Sequence, residues 1–337
     1  MRNAGLATTC VMLAACGGGG GSGNVGGVPV MSAPVPAPTS APSPAPPPSV
    51  APYPTYAQLT GDQSFRTACA ALRFDASPAT PVPVVPFGSG LTLSYTAATQ
   101  THVLTPNARD TGLFGSLPRS YGPADRDPAA PAGVVGYLRT SNGFIERLSI
   151  GSNAAGGASP DYVRGFSARV PLYGATTSNP PGAQYSCIFG VPTRGDDLPT
   201  TDVAYSRGGL NGSAIAYPGV GPAEAYVINQ SQVSVGTDAA TNRITVRIRL
   251  VGALLTTSGA ATTMTDLGTY TGSATIDRNG FYSGQLTSPD RLIRDASFGG
   301  WFFGPQASEG AFSLGFESID QSNGRRILFI GNALALR

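Results

Sequence analysis

Arg243-Ile244-Thr245-Val246-Arg247-Ile248-Arg249-Leu250 alternates an apolar residue with a polar one over eight positions. Successive side chains of a β-strand point to opposite faces, so Ile244, Val246, Ile248 and Leu250 share one face. Arg243, Thr245, Arg247 and Arg249 share the other. The pattern predicts a strand with one side buried and one in water. Working outward, short β-branched and aromatic runs recur at regular spacing from about residue 201. The candidates are Asp202–Arg207, Gly212–Tyr217, Ala225–Val235, Arg243–Val251, Thr269–Asp277, Phe281–Leu286, Phe298–Phe303, Gly310–Phe316 and Ile327–Leu336. Asp277-Arg278-Asn279-Gly280 is a turn signal, because Asn and Gly tolerate φ > 0. Count and spacing suit an antiparallel up-and-down barrel of about eight strands, with a sandwich as the alternative. The expected class is all-β.

Upstream, Leu91–Tyr95, Val134–Thr140, Phe144–Ile150, Val163–Val170 and Tyr185–Val191 also read as strands. Gly88-Ser89-Gly90, Asn107, Asp110-Thr111-Gly112 and Asp125-Arg126-Asp127-Pro128 read as turns or loops. The composition fits: 45 Gly and 30 Pro among 337 residues, and no stretch with a persuasive helical period. All 21 basic residues are arginine, against 19 acidic ones. A near-neutral chain with no basic patch excludes nucleic acid as a partner.

The N-terminus carries a positive Arg2 and a short apolar stretch, Ala4 to Ala15, too brief for the roughly 20 residues of a membrane span. It ends in Leu13-Ala14-Ala15-Cys16, which resembles the lipobox of bacterial lipoproteins. The resemblance implies removal of residues 1–15 as a signal peptide and lipidation (palmitate among the acyl chains) of Cys16. Gly17 after the cysteine, rather than aspartate, implies outer-membrane sorting. The alternative is an ordinary signal peptide with Cys16 a spare thiol. Residues 17–27 are nearly all Gly and Ser, and residues 28–54 hold eleven prolines. Such a stretch favours extended polyproline II over any packed element and reaches on the order of 80 Å. Residues 16–54 are therefore expected to be a disordered, lipidated tether, holding a body off a membrane.

With Cys10 in the signal and Cys16 lipidated, Cys69 and Cys187 remain. An even pair in an oxidising compartment predicts one bridge, with two buried free thiols as the alternative. The bridge would close a loop of about 119 residues, for which the chain-entropy account gives roughly 4–5 kcal/mol at most.

Gly299-Gly300-Trp301-Phe302-Phe303-Gly304-Pro305-Gln306-Ala307-Ser308-Glu309-Gly310-Ala311-Phe312 resembles the last-hairpin signature of transferrin-binding-protein-B-like, Slam-dependent surface lipoproteins. Leu198-Pro199-Thr200-Thr201, Ala204-Tyr205 and Gly212-Ser213-Ala214 resemble that family's lead-in to its barrel. Thr271 to Asp277 and Phe281 to Leu286 resemble its middle hairpin. A second glycine of the pattern is missing between Glu309 and Phe312. The resemblance covers about residues 195–337. It implies a β-rich handle-like domain at 55–195 followed by an eight-stranded barrel at 196–337. The Cys69–Cys187 pair would pin the two ends of the handle. Phe302 is expected inside the barrel, Trp301 and Phe303 at the domain interface, and Glu309 bonded to backbone within its own turn.

No nucleophile elbow, Walker A loop or HExxH motif occurs, so the chain is expected not to be an enzyme, and to hold no cofactor or metal. His102, the only histidine, sits in polar Thr-Gln-Thr-His and is read as a surface residue rather than a haem ligand. Asp196-Asp197 is read as a solvated, turn-starting pair. The resemblance implies a non-catalytic, surface-exposed outer-membrane lipoprotein that binds an extracellular host or environmental protein, or an iron or haem carrier. A TonB-dependent transporter is the further partner it implies. The alternatives are a structural envelope lipoprotein and a lipocalin-like carrier. Tyr121 and Tyr173 are the candidate loop aromatics for binding; no other ligand-binding residue is assigned.

Overall fold

The computed structural model describes residues 53–75, 78–107, 110, 118–141, 143–151, 159–172, 181–256 and 261–337. The signal, Cys16, the tether up to residue 52, Tyr173, and Thr111 and Gly112 of the expected turn lie outside them. Residues 51–337 form one compact unit. All its extended secondary structure is β; among the described residues only short 3-10 turns interrupt it.

The strands, in chain order, begin with β1 (Gln63–Phe65), β2 (Ala68–Phe74), β3 (Thr80–Val82), β4 (Thr92–Thr96) and β5 (Thr101–Thr105). β6 (Arg119–Tyr121), β7 (Val134–Ser141), β8 (Phe144–Gly151), β9 (Val163–Pro171) and β10 (Gly182–Gly190) complete the N-terminal part. They make two antiparallel sheets, ordered β1-β4-β5-β6 and β3-β2-β10-β9-β8-β7. Phe65, Leu93, Leu104 and Tyr121 of the first pack against Ala71, Leu148, Phe166 and Tyr185 of the second, in one buried cluster. Cys69 and Cys187 stand directly opposite each other on β2 and β10 and are joined by a disulfide, so the first and last strands of the larger sheet are cross-linked.

The remaining strands are β11 (Val203–Tyr205), β12 (Arg207–Tyr217), β13 (Glu224–Asp238), β14 (Arg243–Leu255) and β15 (Ala261–Thr275). They are followed by β16 (Tyr282–Thr287), β17 (Arg291–Phe303), β18 (Glu309–Asp320) and β19 (Arg326–Leu336). Pairing runs β13-β12-β19-β18-β17-β16-β15-β14 and returns to β13, which closes an eight-stranded antiparallel barrel and excludes the open sandwich. β11 and β12 follow one another along the same edge of β13, so two expected strands form a single kinked one. Along β14 the expected alternation holds: Ile244, Val246, Ile248 and Leu250 are buried and the arginines between them exposed.

Aromatic rings fill the barrel. Tyr270, Tyr282, Phe298, Phe302, Phe312 and Phe316 are fully buried in its core. Tyr270 and Phe316 lie 4.3 Å apart by ring centroid, and Tyr282 and Phe302 5.3 Å. Side chains of this size fill the interior of a small eight-stranded barrel. β18 and β19 are buried on both faces. Ile327, Phe329 and Ala333 point into the barrel, whereas Leu328, Ile330 and Leu334 face the N-terminal part. There Ala68, Ala70 and Leu72 of β2 meet them, and the two alanines let the strands come close.

Candidate functional site

Two features bring the N-terminal sheets and the barrel together: a buried latch and, beside it, an open cleft. The latch is the loop between β17 and β18. Gly304 turns the chain at φ +72°, and a Cβ there would lie 2.4 Å from the Tyr162 ring, so only glycine fits. Gln306 and Ala307 are also held at positive φ, 50° and 54°. Asp197 accepts a hydrogen bond from the Gln306 N–H at 2.8 Å, and the Ala307 carbonyl accepts one from the Tyr205 hydroxyl at 2.9 Å. Exposed Asp196 and half-buried Asp197 thus lie in a 3-10 turn whose second carboxylate ties the loop.

Glu309 does not bond within its own turn, as the family resemblance implied. Its carboxylate reaches across to the N-terminal part and accepts three backbone N–H bonds, from Asp161 (2.5 Å), Tyr162 (3.0 Å) and Val163 (2.9 Å). Those donors precede or begin β9 and would otherwise be orphaned in a buried interface. Burial pushes the Glu309 carboxyl above the ordinary carboxylate range, and the three N–H groups pull the other way. Phe302 lies in the barrel core, while Phe303 and Trp301 pack in the interface, with Phe87 4.8 Å from the Trp301 ring. Ala311, at the position where the family pattern has glycine, is fully buried there.

Where β2 and β10 contact the barrel, the interface is mostly apolar, crossed by hydrogen bonds from Ser313 to the Ala68 carbonyl and from Asn332 to the Cys187 carbonyl. The larger sheet twists, as sheets do, and β9 and β8 leave the barrel surface. A cleft opens between them and β12 and β13. Its inner part, about 220 Å³, is lined by Ser149, Ser167, Gln184 and Ser186 from the sheet and Asn211, Ser213 and Asn332 from the barrel. The outer part, about 590 Å³, shares Ser149, Ser167, Gln184 and Ser213 and adds Arg147 and Arg169 beside Phe74, Ile215 and Leu255. Small residues, Gly151 and Gly165 among them, line the inner part.

The cleft floor has two cross-strand rows. Ser149 faces Ser167, which faces Ser186; Arg147 faces Arg169, which faces Gln184. Like charges directly opposite on a sheet cost up to about 1 kcal/mol. Neither arginine is joined to a carboxylate among the described residues, and no acidic side chain lines either part of the cleft. The Arg169 guanidinium lies 5.3 Å from the Phe144 ring centroid, a cation–π contact. Gln184 donates to Ser213 at 3.1 Å, and Asn332 to the Cys187 carbonyl at 3.2 Å. A broader concavity of about 860 Å³ lies on the barrel wall around Ser234, Thr245, Arg247 and Thr271. It is a shelf on the barrel wall alone, whereas the cleft has the N-terminal sheet on one side and the barrel on the other.

Two expectations are corrected here. His102 is not on the surface: it lies on β5, is 8% exposed, and its Nδ1 is 2.7 Å from the Tyr137 hydroxyl. Burial, with the nearby Arg126 charge, lowers its pKa to about 4, so the ring is neutral near pH 7. Tyr121 is not a loop aromatic but a fully buried β6 residue that donates to Glu146 at 3.3 Å. Glu146, itself fully buried, is neutralised by Arg119 at 3.0 Å and Arg139 at 2.7 Å. Tyr173 and Cys16 lie outside the described residues. Arg147, Arg169 and the serine row carried no signal in the sequence reading beyond polar residues on outward strand positions.

No family model and no curated protein matches this sequence. Among solved structures it is similar to a double mutant of transferrin-binding protein B from Haemophilus parasuis, at 10% identity and a TM-score of 0.35, over 83% of this chain and 77% of that one. It is also similar to a mutant of the same protein from Actinobacillus pleuropneumoniae, at 14% identity and a TM-score of 0.32, over 79% of this chain and 98% of that one. The Neisseria meningitidis isotype 1 protein aligns at 14% identity and a TM-score of 0.35, over 80% of this chain and 44% of that one. The closed barrel described above stands on its own strand register.

Proposed function

We propose that the chain is an outer-membrane lipoprotein, displayed at the cell surface, that binds an extracellular protein or an iron or haem carrier without catalysis. In this reading residues 1–15 are the signal and Cys16 carries the lipid. Residues 16–54 are the tether, 55–195 a handle-like domain and 196–337 the barrel. The observation that carries it is the cleft between the two bodies, where Arg147 and Arg169 stand opposed with no carboxylate partner among the described residues. A charge arrangement that costs stability and is rigidly presented beside loops is what a recognition surface requires. The lipobox and a reach on the order of 80 Å would put that surface well clear of a bilayer. A TonB-dependent transporter is the partner such a receptor would hand its cargo to.

The test is protease shaving of intact cells with a matched periplasmic control, followed by capture of carrier proteins on cells that display the body. Loss of the body while the control survives, with retention of a carrier, is the expected result. Protection of the body in intact cells overturns the surface reading and leaves the structural envelope lipoprotein in its place.

A further inference from the structure

We infer that the cleft between the larger N-terminal sheet and the barrel is a binding site for a carboxylated saccharide. Its floor offers two guanidinium groups side by side on neighbouring strands, Arg147 and Arg169, with Gln184 completing the row. Adjacent strands lie about 4.8 Å apart, so the two cations can bracket one carboxylate or take one each on neighbouring sugars. The next row is three hydroxyls, Ser149, Ser167 and Ser186, with the Asn211 amide on the barrel side, while Asn332 beside it is already bonded to the Cys187 carbonyl. Hydroxyls and amides both donate and accept, which matches a ligand that carries many hydroxyls. The guanidinium row, which only donates, matches its acid group.

A peptide fits this surface less well. The arginine and serine rows lie on the face of β8, β9 and β10, strands interior to the sheet whose backbone groups are paired with their neighbours and do not offer an edge to an extended chain. Apolar residues line the cleft as well, Val134 and Ile330 in its inner part and Phe74, Ile215 and Leu255 at the mouth, where the C–H face of a sugar ring can rest. The small side chains of the floor leave space for a flat ring where larger residues would close it. This ligand class goes beyond the proposed function, and the two can fail separately. Absence of saccharide binding leaves carrier capture at the cell surface standing, and protection from protease leaves the chemistry of the cleft standing.

The experiment is titration calorimetry on the full mature chain in detergent. The probes are a galacturonic acid oligosaccharide, its neutral galactose counterpart and a poly-glutamate peptide of equal charge. The wild type is expected to bind the acidic saccharide in preference to the other two. Arg147→Gln/Arg169→Gln is expected to weaken that binding at least tenfold, as loss of charge-assisted hydrogen bonds does. Both arginines are exposed, so the variant should fold, and its urea midpoint verifies this. Arg247→Gln, on the barrel wall, should bind as wild type does. No binding of the acidic saccharide, equal binding by the double variant, or tighter binding of the peptide would each overturn the inference.

Discussion

Replacing Glu309 should loosen the barrel from the N-terminal sheets more than any exposed substitution. Its carboxylate is 5% exposed and accepts the N–H groups of Asp161, Tyr162 and Val163. A hydrogen bond to a charged group contributes roughly 1.5–3 kcal/mol, and a buried donor left without an acceptor costs roughly 1–3 kcal/mol. Against this stands the cost of burying the charge, which is what holds the carboxyl above its ordinary range. Glu309→Ala removes all three acceptor contacts and admits some water, for a net loss of about 3 kcal/mol. Glu309→Gln keeps one acceptor oxygen and turns an amide donor toward an N–H, for about 2 kcal/mol. Trp301 is the only tryptophan and packs between Phe87 of the N-terminal part and Phe281 of the barrel, so its fluorescence reports the docking itself. With a urea dependence near the upper end for small proteins, about 3 kcal/mol per molar, Glu309→Ala should lower the midpoint by about 1 M. A shift below about 0.2 M for the alanine variant would refute the latch.

Other expectations follow from single sites. Cys69→Ser/Cys187→Ser frees a chain separation of 118 residues, and should lower stability by about 2–5 kcal/mol, read as a drop in thermal midpoint against the oxidised wild type. His102 is held near 4 against a free value of 6.5, so the unfolded chain binds the proton first as pH falls. Its contribution is whole above pH 6.5 and is lost as pH falls toward 4. The wild type should therefore lose about 2 kcal/mol relative to His102→Gln between pH 7 and 4, allowing for solvent at the ring. A pH-independent difference in urea stability between the two would sink that assignment. Gly304→Ala meets both a positive φ and the Tyr162 ring, and should cost at least about 1–3 kcal/mol. Thermal denaturation at unchanged Ser308→Ala stability separates this from general loop damage.

Much of the barrel was legible because a period of two is a local property of the chain. Arg243 to Leu250 alternates in sequence, and the same residues alternate in burial. Asp277-Arg278-Asn279-Gly280 turns as its residues require: the Asp277 carboxylate accepts the Asn279 and Phe281 N–H groups, and Gly280 sits at φ +88°. The cysteine pair was legible by elimination. β15 begins at Ala261 rather than Thr269, because Gly268, at φ +113°, sits at a register shift that interrupts the alternation.

Other elements are absent from any local pattern. Ala68-Cys69-Ala70-Ala71-Leu72 forms a strand with no alternation, because one face meets the other sheet and the opposite face meets the barrel. His102 looked solvated among its chain neighbours, yet β5 turns it toward Tyr137, 35 residues away. Glu309 finds its acceptor role 146 to 148 residues up the chain. The cleft depends on pairing of this kind throughout. Arg147 and Arg169 are separated in sequence and become neighbours through the register of β8 on β9. The sequence by itself determined the all-β class, most of the barrel strands with their inward and outward faces, and the cysteine pair, since these rest on local geometry and composition. Tertiary structure alone decided which strands lie side by side, where the two bodies touch and where they part, because those are long-range contacts that no local pattern encodes.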